Sequence, residues 1–143
     1  MKLALASDHG GFLLKSVLKE KLIEGGFEVV DLGCDSLESV DYPIYARKLT
    51  KYVINNNCFG VLICTTGIGV SMAANKEKGI RAALISNEDQ CKFSRMHNNA
   101  NVLCLGAKYT NVNEALKYVN IFVNTKFEGG RHARRISQME GII

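Results

Sequence analysis

The chain has no tryptophan, one proline (Pro43) and no apolar run long enough to cross a bilayer. No basic-then-apolar leader opens it, so the expected location is the cytoplasm. Its five cysteines (Cys34, Cys58, Cys64, Cys91, Cys104) contain no Cys-x-x-Cys pair, and an odd count suits a reducing compartment better than a disulfide framework. The three histidines, His9, His97 and His132, lie far apart and show no metal-ligand spacing such as His-Glu-x-x-His, which predicts no metal. Repeats, linkers and low-complexity segments are also missing. With 143 residues, 47% of them hydrophobic and 22% charged, the expectation is one globular domain over 1–143.

What is present is an alternation of short apolar runs with helical patterns. Strands are expected at 2–6, 28–32, 59–64, 80–85 and 102–105. Between them, Leu14, Leu18 and Leu22 recur every four residues in a helix over 12–24 that Gly25-Gly26 stops. Pro43 suits the first turn of a helix reaching about Asn55. Ser71 to Asn75 allows only a short helix, and Asn87 with Gln90 suggests a capping box for one ending near Met96. Val112, Ala115, Leu116, Val119, Phe122 and Val123 make one helical stripe, broken at Gly129-Gly130 before a last helix over 131–139. This pattern predicts an α/β fold: a doubly wound, Rossmann-like, five-stranded parallel sheet with helices on both faces.

The stretch Gly60-Val61-Leu62-Ile63-Cys64-Thr65-Thr66-Gly67-Ile68-Gly69 organises the rest. It starts as a strand buried on both faces and ends in a thiol, two hydroxyls and two glycines. Ligands of open α/β sheets bind at that carboxyl end. A helix N-terminus just beyond Cys64 would favour its thiolate and ready it as base or nucleophile. Thr65, Thr66, Gly67, Ile68 and Gly69 could cradle a phosphate or an oxyanion formed during reaction. A phosphatase of the Cys-x5-Arg type would need arginine where Val70 stands. A mononucleotide or flavin site normally places its Thr/Gly loop after the first strand with aromatics nearby, so that reading ranks low. The other four cysteines read as small core residues.

Asp8 and His9 end the first strand, and they share a sheet edge with Cys64 if strands one and three are neighbours. Asp8 also reads as a turn residue capping the first helix, and His97 as a residue compensating a helix dipole. The net charge of +4, from 18 basic and 14 acidic residues, is a mild excess gathered near the C-terminus. Arg131 and Arg135 are four apart on one helical face, and guanidinium forks suit a phosphate dianion. Basic residues at one helix end, without interleaved aromatics, count against nucleic acid.

Together, Asp8-His9-Gly10-Gly11, Asp41-Tyr42-Pro43, Ile63 to Gly69, Ala73-Ala74-Asn75-Lys76, His97-Asn98 and Glu128-Gly129-Gly130-Arg131-His132-Ala133-Arg134-Arg135 resemble, in that order, the type B ribose-5-phosphate isomerases. That family also includes the galactose-6-phosphate isomerase subunits. The resemblance covers essentially the whole chain. It implies an aldose–ketose isomerase of the pentose phosphate pathway that works through an enediolate without metal or cofactor. By the same resemblance, Cys64 matches the base that moves the proton between C2 and C1, and His97 the residue that opens the furanose ring. Asp8, His9 and Asn98 match substrate contacts. Thr65 to Gly69 match the oxyanion loop, and Arg131 and Arg135 match phosphate ligands. The resemblance further implies a homodimer, or a tetramer of paired dimers, with active sites shared between subunits. Thr65 stands where glycine is frequent, Lys108 where a phosphate-binding arginine is usual, and Asn99 where aspartate is common. These departures keep a hexose 6-phosphate, such as galactose or allose 6-phosphate, as the alternative substrate.

Overall fold

Five parallel strands form one sheet in the order β2-β1-β3-β5-β4. The computed structural model describes residues 1–141. In chain order the elements are β1 (Lys2–Ser7), α1 (Phe12–Glu24), β2 (Glu28–Asp31), α2 (Tyr42–Asn56), β3 (Phe59–Cys64) and α3 (Ile68–Ala74). They continue with β4 (Ala82–Leu84), α4 (Glu88–Met96), β5 (Val102–Gly106), α5 (Val112–Asn124) and α6 (Arg131–Met139). The chain winds outward from β1 to β2, then crosses back to build β3, β5 and β4 on the other side. The order therefore reverses between β1 and β3, where the connections after two adjacent strands lead to helices on opposite faces of the sheet and leave a crevice.

The strands alternate large and small side chains, and that alternation sorts the helices. Leu3, Leu5, Val61, Ile63, Leu103 and Leu105 face α1 and α5 in one buried cluster. Ala4, Ala6, Leu62, Cys64, Val102 and Cys104 face α2 and α3 in the other. Small residues on that second face let α2 come close: a Cβ at Gly60 would lie 2.6 Å from Leu49 and 2.8 Å from Val53. Lys15, only 1% exposed, anchors α1 to the sheet. Its ammonium donates to Asp31 Oδ1 at 2.5 Å and to the Cys34 carbonyl at 2.9 Å. Burial raises the Asp31 carboxyl, but the Lys15 hydrogen bond, the Gly33 N–H and the nearby Lys19 outweigh it and leave Asp31 below the usual carboxylate range.

Three expected elements have other bounds, and one expected capping box does not close. Helix α3 begins at Ile68 rather than Ser71, because Gly67 takes φ +77° and turns the chain straight into helix. Strand β4 is shorter than 80–85, and the side chain of Asn75 pairs with its exposed edge, both accepting from and donating to the backbone of Ala82. Helix α5 stops at Asn124, where Thr125 becomes extended, five residues before the glycine pair expected to break it. At α4 the Asn87 carboxamide accepts from the Gln90 N–H, but the Gln90 side chain reaches the N–H of Ser86 instead of closing the box. No helix of the described residues is long and apolar enough to cross a membrane.

Candidate active site

The loops after β1 and β3 meet in the crevice at the carboxyl edge of the sheet. Asp8 Oδ1 accepts the N–H groups of Gly10 and Gly11 at 2.9 and 3.2 Å, folding the first loop back on itself. A Cβ at Gly10 would stand 2.2 Å from Thr65 Oγ1, and one at Gly11 2.6 Å from the Ile63 carbonyl. Only glycines allow the two loops this approach. His9 Nδ1 accepts from the Val40 N–H at 3.1 Å, which leaves Nε2 as the proton-bearing nitrogen of the neutral ring.

Cys64 ends β3 with its side chain nearly covered, 6% exposed. The Gly67 N–H donates to its Sγ at 3.1 Å. Such a donor interacts more strongly with a thiolate than with a thiol. The Ile68 N–H turns to Thr66 Oγ1 at 3.3 Å, and Ser71 N–H to the Gly67 carbonyl. The N–H groups of Gly69 and Val70, in the first turn of α3, lie beyond the reach of intrahelical acceptors. Lys108 is exposed on the turn after β5, where its N–H donates to the Thr65 carbonyl at 3.0 Å. Burial instead pushes the thiol of Cys91 up to about 12 and that of Cys104 further still, so both stay protonated packing residues.

The remaining expected site residues gather elsewhere. His97 caps α4 just before Asn101 feeds into β5, and the Asn101 carbonyl accepts from Gly60 at the start of β3. That is the amino edge of the sheet. The His97 ring stacks on His132 with centroids 4.2 Å apart, and the Phe93 ring lies tilted against it at 4.9 Å. The Glu128 N–H donates to the Met96 carbonyl at 3.0 Å, drawing the start of α6, with the exposed Arg131 and Arg135, to the same edge as the exposed Asn98. His97 and Cys64 are thus separated by about the length of β5, some 16 Å at the usual rise per residue. Asp8, His9, Cys64, Thr65 to Gly69 and Lys108 form one group; His97, Asn98, Arg131 and Arg135 form a second.

Three further residues belong to these groups. The ring of Tyr42 lies over Gly69, where an added Cβ would come within 2.8 Å of it. Glu128 and His132 flank His97. Widely spaced histidines do not exclude a constellation here, since the fold brings two of the three together. The Glu128/His132 spacing of four is a signal the sequence does contain, but the two glycines between them disguise it as a loop.

The Ribose/Galactose Isomerase family matches residues 3–139. The chain belongs to that family. A probable ribose-5-phosphate isomerase B of Mycoplasma genitalium is 45% identical over 138 residues, covering 94% of this chain and 91% of the relative. The solved ribose-5-phosphate isomerase B of Clostridium thermocellum superposes with a TM-score of 0.96 at 43% identity, covering 99% of this chain and 97% of that one. The Mycoplasma genitalium enzyme solved with bound ribulose 5-phosphate gives a TM-score of 0.92 at 43% identity, covering 98% and 94%. The expected α/β fold and the resemblance read from the motifs are both borne out.

Proposed function

We propose that this isomerase interconverts D-ribose 5-phosphate and D-ribulose 5-phosphate, with Cys64 as the base. The observation that carries the reading is the Gly67 N–H on the Cys64 sulfur, beside the Asp8–His9 loop in the crevice between β1 and β3. In the open-chain aldose, the Cys64 thiolate removes the C2 proton and the electron pair moves onto the C1 carbonyl oxygen. The enediolate oxygen so formed takes N–H groups from the turn through Gly69, a preorganised stabilisation that is stronger for the intermediate than for the substrate. The C2 hydroxyl proton then passes to the C1 oxygen as the Cys64 thiol returns its own proton to C1, which gives the ketose. His97 opens the furanose, protonating the ring oxygen as the C1 hydroxyl gives up its proton. Asp8, His9 and Asn98 hold the sugar hydroxyls. Arg131, Arg135 and Lys108 hold the phosphate, whose binding energy fixes C1 and C2 beside the sulfur.

Since Cys64 and His97 lie at opposite edges of one sheet, the site is completed by a second copy. We read the working unit as a homodimer with shared sites, or a tetramer of such dimers, acting in the cytoplasm. The deciding experiment is the initial rate of ketose formation from ribose 5-phosphate with EDTA present. Rapid, chelator-insensitive turnover is expected. A folded protein with no turnover would move the substrate to a hexose 6-phosphate. Thr65, Lys108 and Asn99 would then be the first positions to examine for that specificity, lysine keeping the phosphate charge without the guanidinium fork.

A further inference from the structure

Two imidazoles and a carboxylate converge at the amino edge of the sheet. Nε2 of His97 and Nε2 of His132 face one oxygen, Glu128 Oε2, at 3.9 and 3.4 Å. The donor atoms of all three residues lie within 4.8 Å of one another. His132 is 7% exposed, and its Nε2 has no hydrogen-bond partner. A buried polar atom left unpaired calls for an explanation. Burial, then His97 and Arg131, hold the His132 imidazole below its ordinary range, against the pull of Glu128. A cation seated between Nε2 and the Glu128 carboxylate would satisfy both groups.

The backbone around this cluster is fixed from both sides. Gly129 and Gly130 take φ +72° and +60°, a turn that swings Glu128 back over the first turn of α6. The Glu128 N–H is tied to the Met96 carbonyl. Arg95, itself 8% exposed, donates to the Thr125 carbonyl from Nε and to Asn99 Oδ1 and the Ala100 carbonyl from Nη1. It thereby braces the segment before Glu128 against the segment after His97.

We propose that His97, Glu128 and His132 form a binding site for a borderline divalent cation of the Zn²⁺ type. Two donors on a tetrahedral ion bonded at about 2.1 Å stand about 3.4 Å apart. His132 Nε2 and Glu128 Oε2 already have that separation. Two parallel rings cannot both aim in-plane lone pairs at one ion, so coordination takes His97 out of its stack on His132. The side chains of His97 and Glu128, 36% and 43% exposed, turn to bring their donors onto the ion. Solvent fills the fourth position. Arg131 and Arg135 sit on the same helix as His132 and oppose any cation that binds by charge alone, so Mg²⁺ is rejected. Imidazole nitrogens retain Zn²⁺, Ni²⁺ and Cu²⁺. The site does not depend on which sugar is isomerised. Its consequence does rest on the role proposed for His97: an ion on its Nε2 takes the place of the proton that ring opening needs and inhibits the enzyme.

The test is titration of the full chain carrying Cys64→Ala, which removes a competing sulfur ligand, with Zn²⁺ and separately with Mg²⁺ by calorimetry. One Zn²⁺ per chain and no Mg²⁺ are expected, with Zn²⁺ affinity about a hundredfold weaker in Glu128→Gln and in His132→Gln. Co²⁺ should give a tetrahedral visible spectrum without a thiolate charge-transfer band. Absent Zn²⁺ binding, affinity unchanged in Glu128→Gln, or a thiolate band would each overturn the site. Glu128 is exposed, so its variant keeps the test valid should His132→Gln fail to fold. With the Cys64-containing enzyme, Zn²⁺ inhibition that EDTA reverses and Glu128→Gln weakens supports the stated consequence. Stoichiometric binding without inhibition would leave the site standing and overturn the role of His97.

Discussion

Cys64 and Cys104 lie on the same face of adjacent strands, yet only Cys64 ends its strand where a backbone N–H turns toward the sulfur. Cys104 sits two residues short of its strand's end, wholly buried, and burial keeps it a thiol. Position within the strand, and not residue type, separates the proposed base from a packing residue. Cys64→Ala is expected to lower kcat by about 10²–10⁴-fold while sugar-phosphate affinity by calorimetry stays largely intact. Parallel loss of binding would make Cys64 structural. Arg135, by contrast, acts on the unreacting end of the substrate. Arg135→Ala should raise KM about tenfold with a smaller effect on kcat, the sign of lost phosphate binding. An unchanged KM would remove it from the phosphate site.

Among the described residues, α1 and β2 are joined by the one ion pair whose ammonium is fully covered, Lys15–Asp31. Because the folded state holds the Asp31 carboxyl below its unfolded value, the pair stabilises the fold above the unfolded pKa of about 3.9. That contribution drains away as pH falls through the lower folded value. Thermal melts between about pH 7 and pH 3 should show a larger fall in Tm for the wild type than for Asp31→Asn. Equal falls would mean the pair contributes no pH-linked stability. At pH 7, Asp31→Asn should itself be destabilised, since it strands a buried ammonium at a cost of about 3 kcal/mol. Helix α3 teaches a different lesson. Gly67-Ile68-Gly69 reads as loop from composition, yet Gly67 supplies a turn and Gly69 the space beneath Tyr42.

For the whole molecule, a single chain presents Cys64 at one edge of the sheet and His97 at the other. Complementation tests the shared site directly. Cys64→Ala and His97→Ala should each be inactive alone. Mixed and reassorted in equal amounts, they should recover about a quarter of wild-type activity, because half the dimers are mixed and each mixed dimer carries one intact site. No recovery after verified subunit exchange would place both residues in one chain's site and overturn the shared arrangement.

The alternation of apolar runs with helical stripes was enough to determine the parallel α/β sheet, because burial on both faces demands unbroken apolar strands such as Val61-Leu62-Ile63. The six motifs in order were enough to identify the family. Helix α6 and strand β3 could be bounded to the residue, since glycine pairs and a polar switch mark their ends. Local pattern carries no information on how distant segments meet. Tertiary structure alone decided that β1 and β3 are neighbours, that Glu128 and His132 close around His97, and that His97 faces away from its own Cys64. Each of these follows from strand order and the direction in which the crossover helices return, and both are set by packing across the whole sheet.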